Sequence, residues 1–106
     1  MKITLFTMIS MAVSLGLAHA GAPEGKPIYV AKCQGCHGAN GEAKPAIAKM
    51  FNVTIPALGS KEIQAKSEAD LKKVIVEGHG KMKPVGGLED KQVSDVISFV
   101  RTLKEQ

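Results

Sequence analysis

The residues of this chain best suited to chemistry stand together, in the run Cys33-Gln34-Gly35-Cys36-His37. Two thiols three positions apart lie on one side of a helical turn, about 4.5 Å along its axis. That spacing suits thioether bonds to the two vinyl groups on one edge of a porphyrin, and Cys-x-x-Cys-His is the attachment pattern of a covalently bound haem. The neighbouring His37 imidazole can then give a nitrogen to the iron. The pattern assigns Cys33 and Cys36 as tethers of one haem c and His37 as its proximal ligand. Three other uses fit less well. A thioredoxin-like redox pair belongs in a βαβ setting, and no strand–helix–strand alternation is present. A zinc site needs four ligands; beyond residue 20 only Cys33, Cys36, His37 and His79 are on offer, and adjacent Cys36 and His37 suit a tetrahedron badly. A disulfide between them would close a tiny loop and stabilise little.

Iron held by one histidine keeps a sixth position open. Met50 and Met82 are the candidates past residue 20. Met50 has apolar helical spacing beside Phe51, which predicts core packing. Met82 lies in Gly80-Lys81-Met82-Lys83-Pro84, where a large apolar side chain has no reason to be unless it points inward. The glycines let that loop approach a ring and Pro84 stiffens it. Met82 is therefore the expected sixth ligand, since Met with His is a known axial pair of haem iron. His79 is the rival, because imidazole also binds iron strongly.

The elements that must position these groups read as helices joined by long connections. Gly21 to Gly25 reads as a loop, Pro27 suits a first helical turn, and Ile28, Tyr29, Ala31 and Lys32 lead a short helix into the cysteine motif. From Gly38 to Lys66 turn residues dominate, with one or two helical turns at Pro45–Phe51. So long a connection counts against an ordinary small domain but suits a segment wrapping a cofactor. Ser67-Glu68-Ala69-Asp70 resembles a capping box, Leu71, Val74 and Ile75 supply an apolar face, and Gly78 is a stop, predicting a helix over 68–77. The last helix starts at Glu89, with Gln92 as box partner and Leu88 and Val93 at staple spacing. Val93, Val96, Ile97, Val100 and Leu103 form its inner face, beside Phe99, and Lys91, Asp95, Arg101 and Lys104 its polar face. The fold class is all-α.

Lys2, the apolar run from Ile3 to Leu17 and the small-x-small Ala18-His19-Ala20 have the form of a secretory signal. The run is shorter than the ~20 residues a membrane span needs. Cleavage after Ala20 leaves residues 21–106 as one domain, exported to the periplasm, with no membrane insertion afterwards. A chain of that size builds a thin core and often leans on a metal or cofactor; a porphyrin would fill the centre. Thirteen Lys and Arg against ten Asp and Glu remain after residue 20. With no basic block and no aromatic–basic interleaving, nucleic acid is a poor partner. Lys32, Lys81 and Lys83 flank the ligand candidates, and the functional reading is a basic rim steering an acidic redox partner. The chain is expected to be a monomer.

These residues resemble the small monohaem class I c-type cytochromes of bacteria. The likeness runs from Gly25-Lys26-Pro27-Ile28-Tyr29-Val30-Ala31-Lys32-Cys33, through Cys36-His37-Gly38-Ala39-Asn40-Gly41-Glu42 and Gly80-Lys81-Met82-Lys83-Pro84, to Asp95-Val96-Ile97-Ser98-Phe99-Val100-Arg101. The resemblance implies a cytochrome c-like fold of three or four short helices around the haem. It also implies terminal helices that cross nearly at right angles, with Gly25 allowing close approach to Val96 and Phe99. Pro56 and Leu58 are the candidates for a proline carbonyl holding the proximal imidazole and a leucine packing on the ring. Between Gly41 and Gly59 the match is loose, and the tryptophan frequent at the propionates is absent. The implied function is a soluble electron carrier cycling Fe(III)/Fe(II) with His37 and Met82 as axial ligands, not an enzyme. The alternative is a haem enzyme or gas-binding sensory module with an open or labile sixth position.

Overall fold

The computed structural model describes residues 20–104. The export segment expected at 1–20 lies outside them apart from Ala20, as do Glu105 and Gln106. Six helices follow one another: α1 (Ala22–Lys32), α2 (Gln34–His37), α3 (Pro45–Phe51), α4 (Lys61–Gln64), α5 (Glu68–Glu77) and α6 (Asp90–Arg101). Among the described residues the sole β pairing is an isolated bridge between His79 and Met82.

Local chemistry explains the ends of α5 and α6. Ser67 accepts a bond from the Asp70 N–H at 3.1 Å and caps α5. Gln92 Oε1 accepts from the Glu89 N–H at 2.8 Å at the start of α6, the reach-back of a capping box. Both helices begin and α5 ends where their spacing and caps predict. Leu71 and Ile75 from α5 meet Val93, Val96, Ile97 and Val100 from α6, with Leu103, Ile63 and Tyr29, in one buried cluster. Leu88 packs partly buried against it.

Helix α1 begins five residues before Pro27, so the segment expected as a loop is helical and Pro27 lies inside the helix. Its first bond runs from the Gly25 N–H to the Gly21 carbonyl at 2.9 Å. Packing accounts for this early start. A β-carbon at Gly25 would run into the Asp95 carbonyl and lie 2.9 Å from the Val96 nitrogen. Only glycine lets the two backbones meet there. The close approach is thus to the Asp95–Val96 peptide, while Phe99 meets Tyr29 instead, with ring centroids 4.9 Å apart and planes at 49°.

Two further expectations are corrected. Asp95 belongs to the buried face of α6, 8 % exposed, because α1 covers it at Gly21 and Gly25. Met50 is not a core residue: at 66 % exposed it is turned outward, since seven-residue α3 buries no residue and turns Ile47 and the exposed Phe51, one turn apart, to the cavity border. One short element went unforeseen. Ser60 caps the single turn α4, which is tied to α6 when Gln64 Nε2 donates to the Val100 carbonyl at 3.0 Å and Arg101 donates to the Gln64 and Lys66 carbonyls at 2.9 and 2.7 Å.

Candidate haem site

A cavity of about 1140 Å³ opens between α2, the 53–58 segment, α5, the 79–86 loop and α6. It is large beside the roughly 300–1,000 Å³ typical of small-molecule sites. Cys33, Cys36, His37 and Met82 all border it, so four residues spread over 50 positions of sequence face one space. Apolar side chains make most of the wall, among them Phe51, Ile55, Leu58, Leu71, Val74 and Ile97.

The cysteine motif sits on the shortest of turns, which is why it needs support from elsewhere. Cys33 is the C-cap of α1, donating to the Tyr29 carbonyl at 2.8 Å, and the N-cap of α2. The Cys36 and His37 carbonyls accept bonds from the Lys44 and Ala43 N–H groups at 3.0 and 2.7 Å. To reach this position Ala43 takes a positive φ of 71°, a conformation costing a residue with a β-carbon roughly 1–2 kcal/mol. The Tyr29 hydroxyl, fully buried, donates to the Gly38 carbonyl at 2.6 Å just past the motif. Burial, with the Cys33 thiol and Glu42 as lesser causes, pushes that hydroxyl up to about 12, so it remains a donor across the ordinary pH range.

Electrostatics at the motif favour neutral groups. Burial pushes the Cys33 thiol up to about 11, with Cys36 adding to the effect. Burial holds the His37 imidazole below its usual range, and neutral imidazole is the form that binds a metal. Its Nδ1 is buried with no hydrogen-bond partner among the described residues. Pro56 and Leu58 both line the cavity as expected, yet the imidazole-to-proline bond implied for Pro56 is not made. A buried ring nitrogen without a partner costs on the order of 1–3 kcal/mol. It marks His37 as a group whose second partner has to come from what fills the cavity or from a small shift of the 53–58 segment. Residues and space together fit a porphyrin: paired thiols, an uncharged imidazole and a thioether border one cavity whose walls are mostly apolar.

The loop that carries Met82 is tight. The His79 and Met82 N–H groups each donate to the other's carbonyl at 2.9 Å. Gly78 makes room for this closure at φ +80°, where a β-carbon would lie 2.6 Å from the Met82 carbonyl oxygen. The Val85 N–H then donates to the Ile75 carbonyl at 2.8 Å, fastening the loop to α5. Met82 ends half-buried and His79 exposed, both on the cavity's border. Lys32, Lys66, Lys81 and Lys83 also border it, against Glu62 as the acidic residue there.

Comparison with known proteins identifies the family and the fold. The family model for cytochrome c matches residues 22–104. The chain is similar in structure to the KustC0563 c-type cytochrome, with a TM-score of 0.65 and 25% identity, over 76% of this chain and 96% of that one. Among curated proteins none matches.

Proposed function

Because this chain belongs to the cytochrome c family, binding haem c covalently through Cys33 and Cys36 and serving electron transfer, we propose that it is a monohaem periplasmic electron carrier with His37 and Met82 as axial ligands. One observation carries the reading: the attachment motif and Met82, 45 positions apart, border the same apolar cavity. Haem bound there supplies one-electron Fe(III)/Fe(II) exchange. The chain's own residues account for the rest. Cys33 and Cys36 hold one porphyrin edge, which removes loss of the cofactor as a failure. His37 gives a neutral nitrogen, and Met82 a soft sulfur that favours the ferrous state and raises the potential. The bridge behind Met82 and the backbone bonds behind His37 keep both groups in place in either oxidation state, so little rearrangement accompanies electron exchange. The apolar wall excludes water and tunes the potential further.

The basic residues around the cavity mouth support an acidic redox partner, met through a small and brief interface. Export follows from the leader-like residues 1–20, and the carrier acts as a monomer. No described helix is long and apolar enough to cross a membrane.

The test is an optical spectrum of the purified protein in both redox states, with pyridine haemochrome analysis and intact mass. A mass of residues 21–106 plus one haem, and a low-spin spectrum in both states, are expected. Haem extracted completely by acid–acetone, or a high-spin resting spectrum that takes up carbon monoxide readily, would overturn the carrier reading in favour of an open-site haem protein.

A further inference from the structure

Asp95 is a largely buried carboxylate with one cationic side-chain partner. It is 8 % exposed, on the face of α6 that α1 covers. A buried carboxylate is costly unless paired and hydrogen-bonded. Its Oδ2 accepts from Lys91 Nζ at 2.9 Å, but that lysine side chain is 77 % exposed, and such i,i+4 surface pairs contribute little. Lys91 also feels Glu24 in the first turn of α1, so one cation faces two acids. Among the described residues no hydrogen bond reaches Asp95 Oδ1, an oxygen that still touches solvent.

Gly21 covers that oxygen. A β-carbon at position 21 would overlap Asp95 Oδ1 and lie 3.1 Å from its Cγ and 3.2 Å from its Cα. The residue is also the N-cap of α1, so the positive end of that helix lies beside the carboxylate. Position 21 is the first residue left when a leader is removed after Ala20.

We infer that Asp95 is a binding site for the chain's own amino terminus, the α-ammonium that processing creates on Gly21. This rests on the export reading above. Hydrolysis of the Ala20–Gly21 amide by a leader peptidase adds one water: the Ala20 carbonyl carbon takes the hydroxyl, and the Gly21 nitrogen takes the proton. With a further proton from solvent that nitrogen is mostly ammonium at neutral pH. Before cleavage the same nitrogen is an uncharged amide. Afterwards it brings a full positive charge, and freedom to turn, to the oxygen that lacks a partner. Processing therefore tightens the α1–α6 contact that also carries Gly25 and Tyr29, and does so only in the exported form.

The experiment is a double-mutant cycle on purified holoprotein. One chain begins at Gly21 and the other keeps Ala18–Ala20 ahead of it, each with and without Asp95→Asn. Asp95→Asn is expected to lower the Tm of the Gly21 chain by about 4–8 °C and that of the extended chain by less than half as much. Equal losses in both overturn the inference and leave the export reading standing. A second measurement needs no variant. In the ferrous mature protein the Gly21 α-protons, followed by NMR, should titrate above the ordinary α-amino range of about 7.7–8.0; a midpoint at or below that range overturns the inference too. Intact mass separates the two ideas, because a natural chain that starts elsewhere than Gly21 overturns this proposal together with the predicted processing.

Discussion

His79 and Met82 hold each other across the loop between them, each N–H donating to the other's carbonyl at 2.9 Å. Directly opposed residues of an antiparallel pair send their side chains to the same face. Both candidates for the sixth ligand are therefore presented together at the cavity, and burial distinguishes them: Met82 is half-buried and His79 exposed.

From this pairing, Met82→Ala is expected to lose the spectrum of a sulfur-ligated iron and to lower the potential, within the roughly 0.8 V that axial ligands command. His79→Ala should change neither. With the sulfur gone the adjacent imidazole is the nearest replacement, so Met82→Ala stays low-spin and Met82→Ala/His79→Ala becomes high-spin and binds carbon monoxide. Visible spectra and potentiometry of the three variants decide the matter. An unaltered spectrum and potential in Met82→Ala would remove Met82 from the iron.

Gly25→Ala tests the seam between α1 and α6. The new methyl group would meet the backbone at Asp95 and Val96, which cannot rotate out of the way as a side chain could. Overpacking of this kind costs about 1–3 kcal/mol, and a rigid backbone neighbour argues for the upper end. Chemical denaturation of the holoprotein should show a lower midpoint with little change of slope. A midpoint equal to that of the parent chain means that the helices do not meet as closely as described.

How far the chain's own letters reached follows from the range of each interaction. Helices α5 and α6 were legible because their caps and apolar spacing lie within a few residues, as with Ser67–Asp70 and Glu89–Gln92. The attachment motif was legible for the same reason. The start of α1 was not, since what makes Ala22 to Lys26 helical is contact with Asp95 and Val96, some 70 positions away. Asp95 read as a surface residue because its charge is visible in sequence and its covering helix is not. Met82 could be singled out by its odd place in a polar loop, but its bridge to His79 depends on backbone pairing that side-chain types do not encode. The turn α4 had a signal that went unused: Ser60, three residues before Ile63, is a cap with an apolar residue to bury.

The lysines around the mouth make a kinetic prediction. Lys81 and Lys83 are exposed on the loop that carries Met82. A trianionic oxidant such as ferricyanide should be drawn to them, and Lys81→Glu/Lys83→Glu should slow oxidation of the ferrous protein several-fold at low salt. The difference should vanish near 1 M salt, where the screening length falls to about 3 Å. Stopped-flow rates across a salt series check this. Rates that differ equally at every salt concentration point to altered structure or potential, not to steering.

Tyr29→Phe separates packing from hydrogen bonding at the motif. The ring contact with Phe99 survives, whereas the 2.6 Å bond to the Gly38 carbonyl is lost and that oxygen keeps only the Gly41 N–H at 3.2 Å. Loss of one such bond costs about 0.5–1.5 kcal/mol, with the damage placed beside the turn that follows His37. The same hydroxyl sets a pH dependence. Its folded value, pushed up to about 12 mainly by burial, lies above the ordinary 10.0 of a free tyrosine. Between those values the unfolded chain gives up the proton and the folded chain keeps it. The unfolded state then binds fewer protons, so stability falls as pH rises through that window and is unaffected by this group below it. The parent chain should lose stability between about pH 10 and 12 more steeply than Tyr29→Phe, in which the lysines still titrate but the phenol is absent. Denaturation midpoints of both proteins at pH 8, 10 and 11.5 measure the difference directly; parallel curves would show that the Tyr29 hydroxyl ionises as freely in the folded protein as in water.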